Sequence, residues 1–212
     1  MTKTEAAFHT LRTAIEDGRF KPGEPLPLPR LLEELDMSPT PIREALRLLQ
    51  AQGLVEHVPH RGVVVATYSP EKAEEIYRLR TVLEPLATEL SVSRATPDRV
   101  ARIRDLHEEL AHAVRNEESR TDFAELNARW HRTIYEGSES RYLQEFIARL
   151  WTAIPVQAIW LTRRAESSCD QHEAITEAIE RGAADEAAEL MRRHVLHGAS
   201  TTTEHLRRLG KR

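Results

Sequence analysis

Apolar residues recur at helical spacing over residues 4–17, at Ala7, Leu11, Ala14 and Ile15, and Gly18 then predicts a stop. Phe20-Lys21-Pro22-Gly23 is a turn signal. Leu31, Leu32 and Leu35 predict a short second helix ending near Asp36-Met37. Ser38 is a good N-cap, and Pro41 sits in a first turn, where its missing N–H costs little. Ile42, Ala45, Leu46 and Leu49 then run at helical spacing to Gly53, which reads as a C-cap. The period changes next. Leu54-Val55-Glu56-His57-Val58 and Val63-Val64-Val65-Ala66 are short β-rich runs joined by Pro59-His60-Arg61-Gly62. The order is helix, short helix, turn, helix, hairpin, which is a helix-turn-helix with a wing.

After a short linker, Thr67-Tyr68-Ser69-Pro70, strand signals vanish. Ala73, Ile76, Leu79, Leu83, Leu86 and Leu90 make one stripe, with Pro85 inside it expected to kink or loosen the helix. Thr96-Pro97 starts a second helix, carrying Val100, Ile103, Leu106, Leu110 and Val114. A third is expected over about 121–136 and a fourth over 140–164, bent at Pro155. A fifth covers about 168–181 and ends at Gly182, and the last runs from Asp185 past His205. The predicted fold is mainly α: a winged helix-turn-helix over residues 1–67, then an all-α antiparallel bundle of six helices over 71–207.

Composition changes this picture in two ways. The 212 residues are 30% charged and 40% apolar, with no run of 18 apolar residues, so a soluble chain without a transmembrane helix is expected. The stretch 1–20 lacks the apolar core of a signal peptide, and a lone cysteine, Cys169, allows no internal disulfide, which fits a reducing cytoplasm. The net charge is −4, and residues 1–66 carry eight Lys/Arg against nine Asp/Glu, about −1. Any DNA footprint must therefore be local rather than domain-wide.

That footprint follows from placement. A helix beginning near Pro39 would offer its N-terminal residues to the major groove, and its positive end attracts phosphate. Ser38 and Thr40 supply short donors for phosphates or base edges. Arg43 can reach a guanine bidentately, and Arg47, one turn later, a base or a phosphate. Arg61 and Gly62 lie at the wing tip, where a glycine lets the backbone approach the minor groove.

The helical part shows polar residues on apolar faces. Phe123, Asn127, Trp130, His131 and Ile134 share one face, with Asn127 and His131 as i, i+4 neighbours. His172 shares a face with Ile175 and Ile179, and His194 with Ala187, Leu190 and Met191. Three helices thus each send an imidazole inward. Hydrogen bonds within a core would satisfy them one by one; a shared zinc, nickel or other divalent ion would satisfy all three. His107, His112, His197 and His205 follow no comparable pattern, and His197 is the alternative to His194.

The motifs Gly18-x-x-x-Pro22-Gly23-x-x-Leu26, Ser38-Pro39-Thr40-Pro41-Ile42-Arg43-Glu44-Ala45-Leu46, Gly53-Leu54-Val55 and Arg61-Gly62-Val63 resemble the DNA-binding domain of the GntR superfamily. Many members carry a DNA-contacting arginine where this chain has Pro39, which shifts base readout to Thr40, Arg43 and the wing; Arg30 adds a weaker phosphate contact. Leu79-Arg80-x-x-Leu83-Glu84, Leu126-Asn127-x-x-Trp130-His131, Gln171-His172-x-x-Ile175-x-x-Ala178-Ile179 and the stretch from Ala187 to His194 resemble the FCD effector domain of the FadR-type branch. Six helices rather than seven place it nearer the VanR-like subgroup. Many such domains hold a divalent metal through one Asp and three His, and the metal helps bind a carboxylate effector. The resemblance puts the ligands at Asn127, His131, His172 and His194, with neutral Asn127 in the Asp position. Either the metal is held less tightly or the effector binds without one. Arg80 either pairs with Glu84 or faces the effector carboxylate.

The resulting expectation is a cytoplasmic, non-enzymatic regulator, a repressor by family analogy, acting as a homodimer on a palindromic double-stranded operator and responding to a small organic acid. Two alternatives stay open: a metal-dependent enzyme on the three histidines, and a DNA-binding dimer without effector.

Overall fold

In the computed structural model, residues 2–16, 18–51, 53–67, 69–116, 120–153 and 165–209 are described. The chain divides into two units, the first built on Met1–Ser69 and the second beginning at Pro70.

The first unit contains α1 (Lys3–Glu16), α2 (Leu28–Leu35), α3 (Pro39–Ala51), β1 (Val55–Val58) and β2 (Gly62–Val65). Gly18 and Gly53 end α1 and α3 in the left-handed conformation, with φ of 73° and 69°. After α3 the Leu54 N–H reaches back to the Leu49 carbonyl at 2.9 Å, the bond that closes a glycine-capped helix. Helix α2 ends at Asp36, also left-handed at φ 49°. The two strands pair antiparallel, Val55 opposite Val65 and Val58 opposite Gly62. The segment 23–26 lies along β2, with Gly23 N–H on Val65 O and Leu26 N–H on Val63 O. Leu11, Leu26, Leu31, Ile42 and Leu49 are each no more than 2% exposed and form the centre of one core. Burial of each contributes about 1.5–3 kcal/mol, and together they fix the direction in which α3 turns its polar face outward.

Among the described residues the second unit has six helices: α4 (Pro70–Ser93), α5 (Pro97–Arg115), α6 (Arg120–Glu136), α7 (Arg141–Thr152), α8 (Ala165–Glu180) and α9 (Ala184–Leu209). Thr96 caps α5 by accepting from the Arg99 N–H. The expected fourth helix is found as far as Thr152; the bend at Pro155 lies outside the described residues. Helix α4 packs along α9 and against α6, and α5 lies against α6 and α8. Just beyond α6, a Cβ on Gly137 would stand 2.0 Å from Ser91 Oγ, so only glycine permits this approach to α4.

Two expectations about α4 meet the structure differently. Pro85 lies inside a helix that runs from Pro70 to Ser93, and the loosening expected there is met at one backbone carbonyl. The proline removes the N–H that would bond Thr81 O, and Arg192 of α9 supplies a replacement donor at 2.9 Å. The leucine stripe, by contrast, is not the buried face. Leu79 and Leu86 are 49% and 43% exposed, while Arg80, Glu84, Thr88 and Ser91 turn inward beside Ala73, Ile76, Tyr77 and Ala87. Arg80, Glu84 and Thr88 can occupy that face because each finds a hydrogen-bond partner there.

Candidate DNA-reading surface and buried imidazole centre

Helix α3 starts immediately after Ser38, so its first turn is formed by Pro39, Thr40 and Pro41. Pro41, Ile42, Ala45, Leu46 and Leu49 are buried, which leaves Ser38, Thr40, Arg43 and Arg47 on the exposed side. Among the described residues Arg43 has no ion-pair partner. Arg47 meets Glu44 at 3.4 Å in an exposed pair that contributes little. At the wing, Gly62 has φ 75°, a conformation that favours glycine, and exposed Arg61 donates to Gly23 O at 3.3 Å. Arg30 differs from these. It pairs with Glu24 at 2.7 Å and Glu34 at 2.6 Å and lies over the Phe20 ring, so its charge is met inside the unit.

In the second unit the three histidines predicted to point inward do so. His131 on α6, His172 on α8 and His194 on α9 are 2%, 0% and 8% exposed. One ligand atom from each lies within 4.8 Å of the others, a spacing suited to a shared cation. His172 Nε2 and His194 Nε2 are 3.3 Å apart. His197 is exposed, which removes it as the alternative to His194. Asn127 lies one turn before His131 and is half-buried. Trp130 is fully buried, its ring centroid 4.3 Å from that of His172 and 4.7 Å from that of His131.

The cluster continues into a polar network of which only the Arg80–Glu84 pairing was legible in the sequence. His131 Nδ1 is 2.9 Å from the Tyr135 hydroxyl, and that hydroxyl donates to Glu84 Oε2 at 2.5 Å. Glu84 is fully buried and also accepts from Arg80 Nε at 2.5 Å and from Trp151 Nε1 at 2.9 Å. Arg80 therefore forms the ion pair, one of its two expected roles, and lies between the Tyr77 and Trp151 rings. Burial acts against the charged guanidinium, but the Glu84 carboxylate outweighs it and holds the pKa above the ordinary arginine range. Burial, reinforced by the Glu84 charge, pushes the Tyr135 phenol well up, so it keeps its proton. On the other side, His194 Nδ1 is 2.8 Å from Gln171 Oε1. The signals for Tyr135 and Gln171 were present as an i, i+4 spacing from His131 and adjacency to His172. Neither spacing identifies a partner on another helix.

One histidine departs from the expectation. His107 on α5 is 5% exposed, with Nδ1 2.9 Å from Glu173 and Nε2 3.2 Å from Cys169 O. It belongs to a separate ionic cluster, in which Arg104 bonds Glu173 and Glu180 on α8.

Residues 3–65 match the family described as bacterial regulatory proteins, gntR family, and residues 75–197 match the FCD domain. The chain is 29% identical over 203 residues to the HTH-type transcriptional regulator YdhC of Bacillus subtilis (strain 168), covering 94% of this chain and 89% of the relative. It is 29% identical over 199 residues to the HTH-type transcriptional repressor GlaR of Escherichia coli (strain K12), covering 89% and 90%. The solved structure of E. coli McbR/YncC shares the fold, with a TM-score of 0.72 at 22% identity over 96% of this chain and 98% of that one. No helix among the described residues is long and apolar enough to cross a membrane.

Proposed function

The chain belongs to the gntR family of bacterial regulatory proteins and carries an FCD domain, and from that premise we propose that it is a cytoplasmic, homodimeric repressor whose grip on a palindromic operator is set by a small carboxylate metabolite. The observation that carries the sensing half is the convergence of His131, His172 and His194, buried on three helices with ligand atoms within 4.8 Å. Three imidazoles crowded together in a core suit a cation better than three unrelated hydrogen bonds. A divalent ion, zinc or nickel by its nitrogen donors, would be held by these three with Asn127 as a neutral fourth ligand. When bound it would supply the positive charge that draws an effector carboxylate. Arg80 is the weaker anchor for that carboxylate, because Glu84 already neutralises it.

The reading half rests on exposure. Thr40, Arg43 and Arg47 would enter the major groove, with Ser38 on phosphate and Arg61-Gly62 at the minor groove. Arg30, tied to Glu24 and Glu34, is the weakest of the set. One such module reads one half-site, so a two-fold dimer doubles the contact. The exposed trio Leu79, Val82 and Leu86 on α4, 49%, 59% and 43% exposed, is an apolar face for a second copy.

The test is selection of binding sites from randomised duplexes by the full chain, followed by mobility shifts with zinc, nickel and a panel of small mono- and dicarboxylates. Palindromic sites released by one acid only in the metal-loaded protein support the proposal. Binding indifferent to every metal and acid leaves a DNA-binding dimer without effector, and turnover without DNA binding leaves an enzyme.

A further inference from the structure

The outer nitrogens of His131 and His194 face the side chains of Tyr135 and Gln171 respectively. The Tyr135 hydroxyl has one proton to donate. That proton goes to Glu84 Oε2 at 2.5 Å, the range of a charge-assisted O–H···O⁻ bond. The other acceptor in reach, Met191 Sδ at 3.6 Å, is a weak one. With its proton committed, the Tyr135 oxygen can meet His131 Nδ1 only as an acceptor. The neutral His131 ring must then carry its proton on Nδ1 and its lone pair on Nε2. The same logic applies to His194, whose Nδ1 faces the Gln171 carbonyl oxygen, a pure acceptor, and whose Nε2 faces His172.

We infer that Tyr135 and Gln171 are positioning residues for the imidazole centre: Tyr135, itself fixed by Glu84, and Gln171 lock His131 and His194 in the Nδ1–H tautomer, so that both offer Nε2 as the ligand atom. The inference rests on the metal reading proposed above. It adds the groups that select which nitrogen binds, and it makes Glu84, two helices before Tyr135 in sequence, part of the same centre. A hydrogen bond of this kind orients a ligand ring and raises its basicity, and its loss typically weakens metal binding 10–100-fold.

The experiment measures zinc affinity of the full chain by chelator competition, with nickel in parallel, for wild type, Tyr135→Phe, Gln171→Leu and Gln171→Glu. Tyr135→Phe and Gln171→Leu should each weaken zinc binding by about 10–100-fold. Gln171→Glu keeps an acceptor oxygen in place and should restore it. Long-range ¹H–¹⁵N correlation on the metal-free protein gives a readout that a merely structural role would not move. His131 and His194 should both be protonated on Nδ1 in wild type, and each should lose that preference in its own variant. Gln171 is half-buried, so its variants test the idea even where the buried Tyr135→Phe lowers the melting temperature. Nε2–H tautomers in wild type, or zinc binding unmoved by both removals, would overturn the positioning role alone. A wild type that takes up no divalent metal overturns the metal reading, and the positioning role with it.

Discussion

In the first unit the side chains proposed to meet DNA stand in water: Ser38, Thr40, Arg43, Arg47 and Arg61 are all exposed. In the second, Arg80, Glu84, His131, Tyr135, His172 and His194 are each less than a tenth exposed. The chemistry is similar, cations and hydrogen-bond donors in both. The environment differs, and it decides what each group does for the fold. An exposed arginine is hydrated in the folded chain as in the unfolded one, so its removal changes binding and leaves folding alone. A buried one has given up water and depends on the partner that replaced it. Substitutions should therefore separate the units by which property they move.

The sharpest contrast is Glu84→Ala. It strips Arg80, Tyr135 and Trp151 of a shared acceptor and leaves a guanidinium buried without a counter-charge. Breaking such a pair from one side costs about 3–5 kcal/mol, to be read as a lowered urea midpoint. Replacing both partners, Arg80→Met with Glu84→Leu, should recover much of the loss. If the single variant melts like wild type, the second unit does not depend on its buried network and the contrast fails.

His172→Ala comes next. It removes the imidazole between the other two helices' ligands and the ring stacked on Trp130. Metal retained after dialysis should fall to background, measured by elemental analysis of the full chain. A content equal to wild type would show that the three histidines are not the ligands.

The two units were unequally legible in the sequence, for the same physical reason. Surface function is local: Pro39 to Arg47 lie on one helix, so spacing alone gives the face, and the caps at Gly18 and Gly53 announce themselves as residues suited to positive φ. The inward set of the three histidines was likewise readable, because each sits among apolar neighbours at helical period. What spacing could not give was partnership. Tyr135 and Glu84 are 51 residues apart, and Trp151 and Glu84 are 67 apart. The leucines of α4 misled in the same way. Periodicity marks a stripe, but the face that turned inward carries Arg80 and Glu84, whose charges cancel each other. His107 was passed over because its partner, Glu173, lies on another helix.

Arg43→Ala probes the outside. A bidentate arginine–guanine contact carries about 1–3 kcal/mol of discrimination, so specific affinity should fall roughly 5–150-fold towards the level of random DNA. The melting transition should stay within about 0.5 kcal/mol of wild type, as for other exposed sites. Mobility shifts on specific and scrambled duplexes give the first quantity, and denaturation the second. Retained discrimination would refute the placement of α3 in the groove.

The smallest expected effect asks whether it is the unit or the environment that matters. Arg104, Glu173 and Glu180 join α5 to α8 in the second unit, but near its surface, the carboxylates 40% and 36% exposed. The hydrogen bond from Arg104 holds the Glu180 carboxyl below its ordinary value. A carboxyl lowered in the folded state stabilises above the unfolded value and loses that contribution as pH falls through the folded one. Arg104→Met should therefore lower stability at neutral pH and converge with wild type in acid. Solvent screening limits each exposed pair to about 0.2–1 kcal/mol, well under the Glu84 effect within the same unit. Urea melts at pH 7 and at a pH below the carboxylate range would resolve the two. A loss at neutral pH as large as that of Glu84→Ala would mean that membership of the helical unit, rather than burial, sets the cost. Zinc uptake should be untouched, since the ion pairs of Arg104 run to Glu173 and Glu180 and not to His131, His172 or His194.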